Sequence, residues 1–465
     1  MIPSREKMTQ GMIIAIQGSR NMARNRFENN RDIISTMPDD ILGDILSRLT
    51  LKEAARTSVL ATKWRYHWTF FSGLLDFDHS LRNFHLRREH VGILTKCNVF
   101  VYEWERFMTR MANVMKSLKS SSLQGLRICM DLGDPWRVAE WVKYAAEKHV
   151  QTLDLDFSYH FSVPFYEISL TIVHNVFPSR GYEMKSLCNL RLSSVDVSGE
   201  VIEGLLASCP LLESICVIES KRLVRLKVRG EALRLKHLEL VECRIMDLDI
   251  YAVNLVTFRY QGKYGKFKFQ NVPSLVEASF GGIFCSYLES DMDRVDFYGV
   301  LLQINVLKLE LSKPYPGFLE GLPVFDNVGQ LEIRIPHRSG AALDHHVSLL
   351  SSFPSVRVLK IKFQRNDLSV VEENWKANLE HEYPNLRELE VSGFRRDPSQ
   401  MELLISIFEK APNLNSVVVD PLSSIHVDRS PDVKARYREM RRETTKWLAD
   451  ALKPHLPPLT QLIVL

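Results

Sequence analysis

The side chains able to act as nucleophiles, bases or metal ligands are scattered through the 465 residues. The seven cysteines, at 97, 129, 188, 209, 216, 243 and 285, are an odd number, widely spaced, with no C-x-x-C pair. Zinc or dithiol chemistry would need closer ligands. His345 and His346 follow Asp344, but no further His or Cys stands at finger-like spacing, so Asp344 reads as a helix cap. Asp291, Asp293 and Asp296 lack the glycine and terminal glutamate of a calcium loop and read as a solvated turn. Gly262-Lys-Tyr-Gly265-Lys266 has neither the spacing nor the Ser/Thr of a phosphate loop and reads as a turn between strands. Neither G-x-S-x-G nor H-E-x-x-H occurs. No catalytic residue, no metal site and no cofactor is expected.

With no reaction centre to position, the elements themselves become the question. Residues 1–31 hold six Lys/Arg against Glu6 and Glu28 and carry the whole net charge of +4. They are polar, basic and without sustained periodicity, which predicts a flexible arm. The remaining chain holds 54 charges of each sign. A neutral body argues against nucleic acid as a partner. No run approaches the ~20 apolar residues of a membrane span, and the six apolar residues at 11–16 are too few for a signal peptide. Reduced cysteines in a cytoplasmic or nuclear protein are expected, with no membrane partner.

Residues 32–70 are denser in apolar signal. Pro38, followed by Asp39 and Asp40, opens a helix, because its missing N–H costs nothing there and acidic side chains favour the positive dipole end. Ile41, Leu42, Ile45, Leu46 and Leu49 form one wide apolar stripe. Thr50 and Glu53 make a capping box that restarts a helix through Ala54, Ala55, Val59 and Leu60. Trp64 and Trp68, at i and i+4, share a face of a third short helix. Three short helices cannot bury that much apolar surface among themselves, so part of it is left for a partner.

The run Asp32–Trp68 resembles the plant F-box throughout, without a gap. Met37 replaces the usual leucine, and Ala61-Thr62 replaces a Ser-Lys or Ser-Arg pair. The resemblance implies docking to a Skp-type adaptor through residues drawn from Pro38, Ile41, Leu42, Ile45, Leu46, Leu49, Val59, Leu60, Trp64 and Trp68. The sequence does not divide these between the adaptor surface and the internal core.

Beyond residue 120 a hydrophobic triplet at i, i+3, i+5 recurs thirteen times. It begins with Leu123/Leu126/Ile128, passes through Leu223/Leu226/Val228 and Leu331-centred copies, and ends with Leu459/Leu462/Val464. Many copies start 24 to 30 residues apart, and helix-like stretches such as 201–208 and 401–410 lie between them. Pro210, Pro354, Pro384 and Pro412 each stand two residues before a triplet, where proline stops a helix and feeds a strand. The pattern predicts an α/β solenoid with one long parallel sheet and helices or turns on its outer side. The closer starts at 212, 223 and 235 predict returns made of a turn alone. The basic helix expected over 432–453 packs under the last triplet and closes the open edge.

Cys209–Ser214, Asn271–Ala278, His381–Phe394, Met401–Pro421 and the ending Leu452–Leu465 resemble plant F-box/leucine-rich-repeat/FBD proteins of the grass type. That resemblance implies the substrate-recognition subunit of a Skp–cullin–F-box ubiquitin ligase. The F-box would dock the adaptor, and through it a cullin–RING ligase, while the repeats bind a protein substrate. Catalysis then belongs to other subunits and works by proximity. Alternatives are a leucine-rich-repeat scaffold without a degradative role and a small-molecule-sensing receptor. The expected organisation is an arm at 1–31, a three-helix F-box at 32–70, a curved leucine-rich-repeat solenoid with its leading linker at 71–370, and FBD-like repeats with a capping helix and strand at 371–465.

Overall fold

A computed structural model of the chain describes residues 36–79, 93–130, 135–158, 173–174, 184–230, 232–263, 265–287, 299–311, 324–336, 343, 348–364, 379, 381–394, 398–421 and 431–465. The expected basic arm, the start of the F-box at 32–35, Asp344 with its two histidines, and the aspartates at 291, 293 and 296 lie outside these residues. The chain forms two compact units, one from residues 1–76 and 90–125, the other from 77–89 and 126–465.

The first unit is helical. Helix α1 spans Asp39–Ser47 and α2 spans Leu51–Arg56. A short 3-10 turn over Thr57–Val59 and a longer one over Lys63–Phe70 follow, and α3 runs from Ile93 to Ser117. The third expected helix is therefore a 3-10 segment. With three residues per turn, side chains at i and i+3 align, so Trp64 and Trp68 do not share a face. Trp64 is buried with its ring near that of His67, 6.4 Å between centroids, while Trp68 is half-buried.

The second unit contains a sheet of fourteen strands taken almost entirely in chain order. Its first two strands, Leu74–His79 and Gly125–Met130, span points where the chain passes between the units. From Thr152–Asp156 to Gln461–Val464 neighbouring strands are parallel and in register at the triplets: Leu307, Leu331, Leu359, Leu389, Val417 and Leu462 form one continuous row. Period-two alternation puts i+3 and i+5 on one face, and the residue at i turns in from the corner. The first twelve triplets are buried throughout. A Leu or Val so buried contributes about 1.5–3 kcal/mol relative to exposure.

Each corner is stitched to the next by a shared acceptor. The Asn305 carbonyl takes the N–H groups of Gly329 and Gln330, both at 3.0 Å, and the Gly329 carbonyl takes those of Arg357 and Val358 at 2.8 and 3.1 Å. Arg357 and Arg387 repeat the arrangement with the following rungs. Asparagines one residue ahead of a triplet add a second tie: Asn254, Asn327, Asn385 and Asn413 donate Nδ2–H to carbonyls of the preceding unit at 2.7, 2.6, 3.1 and 3.0 Å. Backbone groups at the corners, which would otherwise be costly to bury, are thereby satisfied.

Three features depart from expectation. The triplet at 223, 226 and 228 is buried but belongs to a second parallel sheet of three strands, Arg225–Arg229, Asp247–Tyr251 and Lys266–Gln270. Between 214 and 281 the return leg is thus a strand rather than a bare turn, and any strand with one buried face produces the same triplet. A further rung, Glu277–Gly281, carries Leu275, Ala278 and Phe280 at the triplet positions; the resemblance at Asn271–Ala278 touches it, but the triplet pattern does not mark it because Ala278 is small. The last triplet is not core, since Leu459 is fully exposed with φ +71°, and Leu462 and Val464 are only half-buried. The final helix, Pro431–Leu452, buries Leu448 and Leu452, while Trp447 stays partly exposed.

Two glycines mark tight approaches. Helix Gly199–Ser208 starts so close to strand Arg225–Arg229 that a Cβ at Gly199 would lie 1.8 Å from the Arg225 carbonyl oxygen. Gly393 combines φ +73° with a Cβ position 2.3 Å from the Phe363 carbonyl oxygen, so only glycine fits that corner.

Candidate functional site

Helix α1 is preceded by Pro38, whose carbonyl accepts the Leu42 N–H at 3.2 Å. Pro38 is exposed and makes no side-chain cap. The apolar stripe of α1 divides into two rows. Leu42 and Leu46 are completely buried, whereas Ile41 and Ile45, one turn apart on the neighbouring row, are 45% and 37% exposed. Leu49, just beyond the helix, is half-buried.

The capping box forms as the spacing of Thr50 and Glu53 predicted. The Glu53 carboxylate accepts the Thr50 N–H at 2.9 Å and its hydroxyl at 2.8 Å, and the Thr50 hydroxyl accepts the Glu53 N–H at 3.3 Å. These bonds, the backbone one foremost, hold the Glu53 carboxyl below its ordinary value. The cap starts α2, whose Ala54 is buried. Val59 and Leu60 follow, at 85% and 68% exposure.

Two aromatic residues absent from the predicted set join the exposed apolar side chains of this unit: Tyr66 at 67% and Phe70 at 52%. Lys119 Nζ sits 5.9 Å above the Phe70 ring. Both lie in the 3-10 segment, where no helical spacing in the sequence marked them. Of the predicted docking residues, Pro38, Ile41, Ile45, Val59 and Leu60 are exposed, Leu49 and Trp68 half-buried, and Leu42, Leu46 and Trp64 buried.

In the repeat unit, the residue at i+4 of each triplet points away from the core. Along the long sheet that row reads Arg127, Asp154, Arg191, Cys216, Glu239, Arg259, Ser279, Lys308, Glu332, Lys360 and Glu390, and ends in the apolar Val418 and Ile463. Signs alternate over Arg127–Asp154–Arg191 and over Lys308–Glu332–Lys360–Glu390, with neutral Cys216 and Ser279 interrupting between them, and opposite charges on adjacent strands attract. Arg127 reaches Asp78 and Asp154 at 3.6 and 3.5 Å, and Arg259 reaches Glu239 at 2.7 Å. Lys308 pairs with Glu277, and Lys360 lies 2.6 Å from Glu390. Burial would raise the Glu332 carboxyl, but Lys362 at 2.9 Å and Arg334 at 3.2 Å outweigh it and hold it below its ordinary value.

A groove of about 290 Å³ opens on this face, lined among others by Cys216, Glu239, Arg259, Lys308, Glu310 and Arg334. Burial, then Glu239, pushes its one thiol, Cys216, up to about 12, although Arg191 donates to its sulfur at 3.3 Å. Burial likewise pushes Cys243 to about 11 and Cys285 to about 12. The face offers nearly balanced charge and hydrogen-bonding groups. Charged residues between the two apolar strand positions were visible in the sequence; their pairing required the register.

Residues 34–72 match the F-box domain, and residues 118–455 match the At1g61320/AtMIF1, LRR domain. The chain belongs to the plant F-box/LRR family. An F-box/FBD/LRR-repeat protein of Arabidopsis thaliana is 25% identical over 417 residues, 85% of this chain and 86% of the relative. A putative F-box/LRR-repeat protein of the same plant is 23% identical over 453 residues, covering 90% and 86%. A shorter match, 33% over 205 residues, joins the chain to a putative Arabidopsis thaliana F-box protein and covers 42% of it. Ile41, Ile45, Val59, Leu60, Tyr66 and Phe70 all fall within the matched F-box, and the i+4 row from Arg127 to Glu390 within the matched LRR domain. Among the described residues no helix is long and apolar enough to cross a membrane.

Proposed function

We propose that this F-box/LRR protein is the substrate-recognition subunit of a Skp–cullin–F-box ubiquitin ligase. In this reading a Skp-type adaptor covers Ile41, Ile45, Val59 and Leu60, and the leucine-rich repeats hold a protein substrate. The observation that carries the reading is the exposure of these four aliphatic side chains on a unit whose own core is already filled by Leu42, Leu46, Ala54 and Trp64. Exposed aliphatic side chains gain by burial in a partner. Tyr66 and Phe70 add the aromatic groups that commonly anchor an interface. The protein itself needs no reactive group in this role, because a substrate lysine held near a charged ubiquitin carrier gains effective concentration.

The test is co-expression of the full chain with a plant Skp-type adaptor, followed by size-exclusion chromatography. A stoichiometric complex is expected, lost on deleting 32–70 and lost in Ile45→Asp plus Leu60→Asp, with thermal melting little changed because both side chains are solvent-exposed. Retention of the complex in that double variant would overturn the assignment of the surface.

A further inference from the structure

The two sheets of the repeat unit handle charge differently. On the long sheet the alternating row nearly cancels itself. On the three-stranded sheet the register stacks Arg225, Asp247 and Lys266 in one row and Lys227, Asp249 and Lys268 in the next. The third row is Arg229, Tyr251 and Gln270. Both outer strands are basic, so five cations face two carboxylates across these rows.

The excess continues at the corners. Arg222, Arg244 and Lys263 are exposed and stand three residues ahead of the three strands, with Glu242 near enough to Lys263 to feel its charge. Arg229 donates to Asp249 and, at 3.3 Å, to Gln270. Among the described residues no carboxylate lies within ion-pair distance of Arg225, Lys227, Lys266 or Lys268, all of them exposed. Glu203 of the adjacent helix spends its carboxylate on the Lys227 backbone N–H at 2.9 Å. A whole-chain balance near neutrality thus conceals a local surplus of positive charge.

We infer that this outer face docks an extended acidic polypeptide segment, rich in Asp and Glu, from a partner protein. Cations at i, i+2 and i+4 of a strand stand roughly 6.6 Å apart, the period at which one face of an extended chain presents its side chains. Two such rows, Arg225/Lys227/Arg229 and Lys266/Lys268, lie two strand spacings apart, roughly 9.6 Å. Between them Asp247 and Asp249 form an acidic seam that repels a phosphate backbone laid across the sheet. A peptide running along either basic strand avoids it. The face also ends in strand Lys266–Gln270, the terminal strand of its sheet among the described residues.

The test is fluorescence anisotropy of labelled decaglutamate titrated with the full chain at about 50 and about 150 mM salt. Binding that weakens with salt is expected. Lys227→Glu plus Lys268→Glu should weaken it by at least about tenfold, since it puts like charges against the ligand. Lys116→Glu in the helical unit, also exposed, should leave it unchanged. Lys227→Gln plus Lys268→Gln gives the same reading with less repulsion, should charge reversal disturb the fold. Equal affinity in wild type and both double variants would overturn the proposal, as would tighter binding of a labelled oligothymidylate of equal charge lost in the same variants. Adaptor binding should be unaffected in all of them, which separates this inference from the ligase reading.

Discussion

In the helical unit Val59 and Leu60 stand at 85% and 68% exposure, while in the repeat unit Tyr260 and Phe258, both far larger, are at 0% and 1%. The contrast lies in how each unit closes. Every rung of the repeat unit covers its neighbour, so apolar side chains are consumed by the stack as it is built. Among its described residues the helical unit has a filled core and, beside it, apolar positions that stay exposed. Stability is therefore concentrated in one region and unsatisfied apolar surface in the other, and substitutions should separate the two.

The largest expected effect concerns the thiols. With Cys216 and Cys285 raised from 9.0 to about 12 by burial, their thiolate fraction near neutral pH falls about a thousandfold. Alkylation by iodoacetamide should leave both unmodified in the folded protein and label them quickly in denaturant, read by mass spectrometry of peptides. Fast labelling under native conditions would mean that the rungs open readily and that the contrast in closure is weaker than drawn.

Next comes Phe258→Ala. This side chain meets Phe269 and Phe280, at 5.2 and 5.9 Å between centroids, so its loss removes packing between the two sheets and along one of them. A loss of about 3–5 kcal/mol is expected in chemical denaturation, with binding of a Skp-type adaptor preserved. Loss of both together would show that the units do not behave independently.

Asn385→Ala deletes one rung-to-rung bond to the Pro354 carbonyl and should cost about 1 kcal/mol. The same substitution at Asn413, bonded to the Pro384 carbonyl, should match it, because the corner is a repeated part. The smallest effect is at Glu53. Its folded carboxyl is held below the ordinary value, so its contribution is full above that value and fades as the pH falls through the lowered one. The melting difference between wild type and Glu53→Gln should therefore shrink as the pH is taken from 7 to the acid end of the carboxylate range. A difference that grows on acidification would reverse the assignment.

Much of this was legible because single-face burial leaves a fixed mark. Leu307, Leu331 and Leu359 announce their strands through spacing alone, and Thr50 with Glu53 announces a helix start. The limits follow from the same physics. The Leu223 triplet looks like every other, since the pattern records that one face is buried and not which sheet does the burying. Ala278 left its rung out of the triplet pattern, because a small side chain carries little hydrophobic signal. Trp64 and Trp68 were placed on one face by assuming 3.6 residues per turn where the chain takes three. The division of Ile41 from Leu42 needed neighbours that no local pattern names.

The corners with one carbonyl serving two amides have a further consequence, for how the chain tolerates change. Strands start 20 residues apart at 237, 257 and 277, but 29, 24, 28 and 30 apart from 277 through 306, 330, 358 and 388, and the row of triplets stays in step throughout. Each corner resets the alignment locally, so an insertion in one return leg is absorbed before the next strand begins. Length in these legs is a freely variable dimension, and new outward surface, including a strand in place of a helix, can accumulate there without disturbing the stack beneath.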